Sequence, residues 1–288
     1  MTTAPLTRRR ALLGTAALAW PAIGHSAIGG LPTNIDHSAS SPEWDKLRQQ
    51  LFGERPMARG TDSLVQLIVP LRAAYGASVP VKIVSKAPQT ATRYAKRLTL
   101  LVDKNPSAVA ANIELTPALG QADFETRLRV DEYSHVRVIT EWNDGTLHLD
   151  SRFVKVSGGC SAPPNRDRPD LIGQTRFRLP DGVKPASQTT PAEVSVIHPN
   201  DTGFELNQVT VMYIPPHFIR SVRVRYDDQL LFNADTDFSV SENPSWRFQF
   251  VPRADGRGLL SAEVSDSKEN SYSGRLDIAT AKPEASPS

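Results

Sequence analysis

The residue best suited to covalent chemistry in this sequence is its single cysteine, Cys160. A thiolate is the nucleophilic form of cysteine, and it forms and breaks bonds to other sulfur atoms by exchange. The neighbours of Cys160 are glycines or other small residues, so an extended segment could carry the sulfur about 15 Å at roughly 3.3 Å per residue. We therefore interpret Cys160 as the attachment point for a covalent cargo, on a carrier arm formed by Ser157, Gly158, Gly159, Ser161 and Ala162.

The alternative for Cys160 is a structural role, because free cysteines are among the most buried residues in proteins. The glycine pair before it and the Ala-Pro-Pro sequence after it do not suit a core strand, so we expect the thiol to be exposed and mobile. A thiol enzyme would need a second cysteine or a base placed against the first, and the sequence indicates neither. We predict no catalytic residue and no bound cofactor.

The histidines do not form a recognisable cluster of metal ligands, so we predict no metal site. His148 lies between two leucines, which predicts a solvent-facing position on a strand. His198 and His217 each adjoin a proline and are assigned to turns. His25 and His37 fall in the N-terminal region.

Residues 1–27 have the order of features typical of a removable export signal. Arg8, Arg9 and Arg10 precede an apolar run, and small residues follow, which resembles the twin-arginine export pattern. We expect the destination to be a bacterial periplasm, an oxidising compartment in which an unpaired cysteine is unusual. Residues 28–42 are polar and are predicted to be a flexible segment.

The charge of the chain is close to neutral once the signal is set aside. Three arginines and no acids lie in residues 1–27, so the remainder carries about −1 against +2 for the whole sequence. No basic stripe suggests a nucleic-acid surface, and no run is long and apolar enough to predict a membrane span.

The remainder of the chain has the pattern of an all-β protein. A short helix is predicted over 42–52, and about seven short apolar runs with turns between them then predict an immunoglobulin-like β-sandwich over residues 43–156. Asn143-Asp144-Gly145 is typical of a hairpin turn. Residues 157–192 are rich in proline and glycine and are assigned to the cysteine arm and an interdomain linker.

Strand-like runs resume in residues 193–278, including 208–214 and 219–226, and predict a second sandwich. Residues 226–229 indicate a tight turn. The last residues, 279–288, are polar and are predicted to be a disordered tail.

Several segments resemble those of a known family of sulfur carriers. Ser157-Gly158-Gly159-Cys160-Ser161-Ala162 resembles the cysteine arm of SoxY, and segments of the second domain, in matching order, resemble SoxZ: residues 197–203, 214–219, 241–244 and 246–250. The pattern is most similar to the fused SoxYZ-like carriers of the type associated with quinoprotein dehydrogenases. The resemblance implies a SoxY-like and then a SoxZ-like immunoglobulin-like sandwich, with Cys160 as the carrier thiol.

The resemblance also implies a function and partners. The protein would hold sulfur or another thiol-reactive intermediate on Cys160, as a shuttle and not as an enzyme. Its partners would be periplasmic oxidation enzymes, such as c-type cytochromes, a sulfate-releasing hydrolase or a PQQ-dependent dehydrogenase. The alternative is a non-catalytic accessory or binding module that stabilises a periplasmic dehydrogenase or cytochrome, in which the thiol is incidental.

Overall fold

The computed structural model describes Met1, residues 40–164 and residues 168–281. The predicted export signal, most of the predicted flexible segment and most of the predicted tail lie outside these residues. No helix among the described residues has both the length and the apolar character needed to cross a membrane.

The described residues are mainly β-strands, which confirms the predicted all-β class. The one α-helix among them is α1 (Pro42–Phe52), and short 3-10 turns occupy Gly60–Asp62, Pro117–Leu119, Pro169–Leu171 and Ile278–Thr280. The strands are β1 (Met57–Ala58), β2 (Val65–Ile68), β3 (Val79–Ser85), β4 (Ala95–Val102), β5 (Val109–Leu115), β6 (Phe124–Leu128), β7 (Ser134–Trp142), β8 (Leu147–Val154), β9 (Thr175–Arg178), β10 (Thr190–Val196), β11 (Ile219–Tyr226), β12 (Gln229–Thr236), β13 (Ser245–Phe250), β14 (Leu259–Asp266) and β15 (Ser271–Asp277).

Helix α1 begins at the predicted residue because local signals fix its N-terminal end. The Ser41 hydroxyl accepts a hydrogen bond from the Trp44 backbone at 3.0 Å, and Pro42 sits at the first turn. Trp44 is buried in a small apolar cluster apart from the main core. Leu51, in the last turn of the helix, is 41% exposed.

Within the described residues the strands form two sheets, and each sheet contains strands from both halves of the chain. The larger sheet has the order β1-β8-β7-β4-β5-β12-β11-β14-β15, and the smaller has β2-β3-β6-β13-β10-β9. Residues 57–154 thus form one sandwich and residues 175–277 a second. The two sandwiches join edge to edge through antiparallel β5–β12 pairing, and also where Arg247 of β13 pairs with Glu125 of β6.

The main apolar core is continuous across this junction. Phe232 of β12 makes edge-to-face contacts with Phe124 of β6 at 5.4 Å and with Phe248 of β13 at 5.1 Å. Aromatic pairs of this kind add to the stabilisation from burial alone. The core therefore ties the two sheets, and the two halves, together.

The predicted turns at residues 143–145 and 226–229 are confirmed, since they connect β7 to β8 and β11 to β12. The segment assigned to arm and linker, 157–192, also contains β9 and the start of β10, which pair with each other.

The strand predicted over 208–214 is wrong. Residues 201–217 form a hairpin outside both sheets, with isolated bridges between Asp201 and His217 and between Leu206 and Tyr213. The apolar residues that suggested a strand have no core to cover, so Val209 is 90% exposed and Tyr213 is 68% exposed.

Candidate functional site

The cysteine arm follows β8 and lies against the turn after β6. The backbone N–H of Gly158 donates to the carbonyl of Asp131 at 2.8 Å, and that of Gly159 donates to the carbonyl of Val130 at 3.1 Å. The backbone N–H of Cys160 donates to Asp131 Oδ1 at 3.1 Å. Three consecutive amides of the arm are therefore satisfied by one turn, and the arm is docked.

The docking depends on the absence of a side chain at Gly159. A Cβ at this position would lie 2.6 Å from the Val130 nitrogen and closer still to the carbonyl oxygens of Val130 and Gly76. Gly158 differs, because a Cβ there would meet nothing within 4 Å and only its φ of +74° favours glycine. Gly159 therefore permits close packing of backbone on backbone.

The buried guanidinium group of Arg129 donates hydrogen bonds to the arm. One terminal nitrogen of Arg129 donates to the carbonyls of Gly159 at 3.0 Å and Ala162 at 3.1 Å. The other donates to the carbonyl of Asn200 at 3.4 Å. The Arg129 side chain, which we call the arginine clamp, therefore links the arm to the second sandwich.

The second sandwich also contacts the arm directly. The hydroxyl of Thr202 donates to the carbonyl of Cys160 at 2.6 Å, and the Thr202 backbone N–H donates to the buried carboxylate of Glu205 at 3.2 Å. The seat of the arm is thus built by both halves of the chain, which sequence reasoning did not anticipate.

The prediction that Cys160 is exposed is wrong, because the residue is only 1% exposed. Burial, together with the nearby carboxylates of Asp131 and Glu205, raises the pKa of the Cys160 thiol to about 12, and the opposing charge of Arg129 offsets only part of this rise. The physical reason for the error is that glycine permits a free arm and equally permits tight docking. Of the predicted arm, Ser157, Gly158 and Ser161 are exposed, Ala162 is half-buried and Gly159 is buried.

Replacing Arg129 by Met is expected to lower the free energy of unfolding by about 2–4 kcal/mol, because hydrogen bonds from a buried charge to three carbonyls are lost. Urea denaturation would measure the change. Arg127→Met is the matched control, since Arg127 is exposed, and its effect should stay within about 0.5 kcal/mol. An equal decrease in the free energy of unfolding in the two variants would show that the arginine clamp does not stabilise the protein.

A second polar cluster, absent from the sequence predictions, joins two histidines to an aspartate. His198 Nε2 lies 3.3 Å from His217 Nε2, and His217 Nε2 lies 2.7 Å from Asp266 Oδ2. Burial, followed by the proximity of His217, lowers the pKa of His198 to about 4. Burial alone would raise the pKa of Asp266, but hydrogen bonds from Asn270, His217 and Tyr272 outweigh it and hold that pKa well below its usual range.

The other histidine predictions have different outcomes. His148 was predicted to face solvent but is 7% exposed, and its Nδ1 accepts the backbone N–H of Leu64 at 3.1 Å. Its neighbours Leu147 and Leu149 belong to the small apolar cluster that contains Trp44, and its ring lies against the backbone of Leu64, the residue before β2. His25 and His37 lie outside the described residues.

Comparison with known families gives two matches in tandem. Residues 48–160 match the model of the sulfur oxidation protein SoxY, and residues 178–277 match that of the sulphur oxidation protein SoxZ. The first match ends on Cys160 itself. No protein with a curated description matches the chain.

Comparison with solved structures gives partial matches. The sulfur carrier protein SoxY from Chlorobium limicola f thiosulfatophilum is 24% identical, with a TM-score of 0.33, over 40% of this chain and 91% of that chain. A superoxide reductase (neelaredoxin) from Ignicoccus hospitalis is 14% identical, with a TM-score of 0.29, over 32% of this chain and 80% of that chain.

Proposed function

The chain belongs to the fused SoxYZ-like proteins, with a SoxY domain followed by a SoxZ domain, and on that premise we propose that it carries a sulfur intermediate covalently on Cys160. SoxY and SoxZ are sulfur oxidation proteins that act as a carrier and its partner, and not as catalysts. The observation that carries the assignment to Cys160 is that the SoxY match ends on this residue, directly after the docked glycine pair.

The chemistry asked of the thiol is the formation of one S–S bond. Joining Cys160 to an anionic sulfur compound removes two electrons, which a redox partner of the c-type cytochrome class accepts, and the thiol proton passes to solvent. Release of the oxidised cargo is a separate hydrolytic step on a partner enzyme. Neither step needs a base on the carrier, because the partner enzymes can supply one.

Burial gives the carrier a protected resting state. With a pKa of about 12, Cys160 is almost entirely in the unreactive thiol form at neutral pH. The arm is held mainly through backbone groups, so its release needs no change in the strands on either side. We infer that a partner releases the arm before loading, and that docking shields the empty thiol from unwanted oxidation.

The 201–217 hairpin is our proposed docking site for those partners. Its apolar side chains are exposed, among them Val211 at 71% and Met212 at 67%. Its base holds the arm through Thr202.

We propose that the partners are sulfur oxidation enzymes, with a quinoprotein dehydrogenase as a further member. A periplasmic setting is supported by the arginines of residues 8–10.

Mass spectrometry of the intact protein from its own host tests the carrier function. The wild-type chain is expected to show a mass increase that a reductant removes, and the Cys160→Ser chain should show none. In cells that carry Cys160→Ser, the rate of sulfur oxidation should fall to that of cells from which the gene has been deleted. Wild-type protein that never carries an adduct, even during growth on reduced sulfur compounds, would overturn the proposal.

The burial of Cys160 favours one other candidate, an accessory module in which the thiol is a packing residue. Cys160→Ala, which is smaller and keeps the site apolar, separates the two functions. Full pathway activity in cells carrying this variant would establish the accessory role, whereas loss of activity with an unchanged melting temperature would support the carrier.

A further inference from the structure

Three ligand-type side chains from separate segments converge at one end of the second sandwich. His198 follows β10, His217 precedes β11 and Asp266 ends β14. Their ligand atoms, two imidazole nitrogens and a carboxylate oxygen, lie within 4.8 Å of one another. We propose that His198, His217 and Asp266 bind a divalent cation of the zinc type, a function separate from that of Cys160.

The distances are close to those of a tetrahedral site. Metal–donor bonds of about 2.0–2.1 Å place tetrahedral ligands about 3.3 Å apart. The two histidine Nε2 atoms are 3.3 Å apart, and His198 Nε2 lies 3.7 Å from Asp266 Oδ2. The remaining edge, between His217 Nε2 and Asp266 Oδ2, is 2.7 Å and must open by roughly 0.6 Å. His217 is the least buried of the three, with 12% of its side chain exposed, so it has room to move.

The surrounding groups suit metal ligands as well. The backbone N–H of Asn200 donates to Nδ1 of His198 at 3.1 Å, and the side-chain Oδ1 of Asn200 lies 3.1 Å from the same nitrogen. Binding a cation through Nε2 requires the His198 proton to be on Nδ1, where Asn200 Oδ1 would accept it and the hydrogen bond from the Asn200 backbone N–H would be given up. A ligating histidine commonly donates its other N–H in this way.

Asp266 is oriented by its own turn. Its Oδ1 accepts the backbone N–H groups of Lys268 at 2.8 Å and Asn270 at 3.0 Å, which fixes the plane of the carboxylate. Its Oδ2 faces the histidines and already accepts hydrogen bonds from Asn270 Nδ2 and the Tyr272 hydroxyl, each at 2.9 Å. A cation would replace the proton that His217 shares with this oxygen. The fourth position would remain for water.

The test is a titration of the tag-free full chain with Zn²⁺ against a chromophoric chelator at neutral pH. All chains carry Cys160→Ser, so that the thiol cannot contribute. We expect one tightly bound Zn²⁺ per chain, and a loss of affinity of at least about 100-fold in His217→Gln. His135→Gln is the matched control and should bind as the parent does, because His135 lies on β7 in the other half.

Thermal melts separate ligation from folding. In excess chelator His217→Gln should melt as a folded protein, and added Zn²⁺ should raise the melting temperature of the parent and the control but not of this variant. Asp266→Asn repeats the test at a second ligand. If Asp266→Asn proves to be unfolded, the result for His217→Gln alone decides whether the site exists. Zn²⁺ affinity in His217→Gln equal to that of the parent, or no tight binding by the parent, would overturn the site.

Discussion

Cys160 in the native protein is expected to react with a maleimide about a thousandfold more slowly than in the unfolded chain at about pH 8. A thiol with a pKa of about 12 is thiolate in roughly one molecule in ten thousand at that pH, against roughly a quarter for a free cysteine with a pKa near 8.5. Labelling followed by intact mass, with and without denaturant, measures the ratio.

The pH dependence gives a second, independent readout. Burial raises the pKa, so the native thiolate becomes more abundant as pH rises, and the native rate should climb about tenfold per pH unit well past 8.5. The rate for the unfolded chain should level off near that value. The Cys160→Ser chain should take up no label. A native rate within tenfold of the unfolded rate, or one that levels off near pH 8.5, would contradict the docked arm.

The parts of the fold that sequence could predict are those set by neighbours along the chain. The start of α1 follows from Ser41 and Pro42, and the turn between β7 and β8 follows from Asn143-Asp144-Gly145. The edge-to-edge joining of the sandwiches could not be predicted in this way. The paired residues of β5 and β12, such as Leu115 and Phe232, lie far apart in sequence. The sequence of neither strand indicates which strand it pairs with.

The site shows the same division. The identity of the thiol could be predicted, because a single cysteine after a glycine pair is a local feature. Its burial depends on the carbonyl of Val130 and on Arg129, which belong to the segment after β6, about thirty residues earlier in the chain. No local sequence signal indicated the histidine–aspartate cluster. Asp266 begins a turn whose sequence is typical of an exposed surface turn.

Replacing Gly159 by Ala is expected to raise the native labelling rate of Cys160 at least about 100-fold, to within about tenfold of the rate for a free cysteine. The added Cβ would overlap the backbone of Gly76 and Val130, neither of which is a flexible side-chain end that could move aside. The arm can relieve the overlap by leaving its seat, because no strand residue is changed. Release also ends the burial that raises the pKa of the thiol. Maleimide kinetics on the folded variant measure the effect.

Gly158→Ala is the matched control, one residue away on the same arm. Its Cβ would meet nothing within 4 Å, and the only penalty is the φ of +74°. A left-handed conformation costs an alanine about 1–2 kcal/mol, which corresponds to a rate increase of about tenfold through partial release. Melting curves should show both variants folded, since the arm lies between β8 and β9 and belongs to neither. If Gly159→Ala labels no faster than Gly158→Ala while both remain folded, the backbone seat does not control access to Cys160.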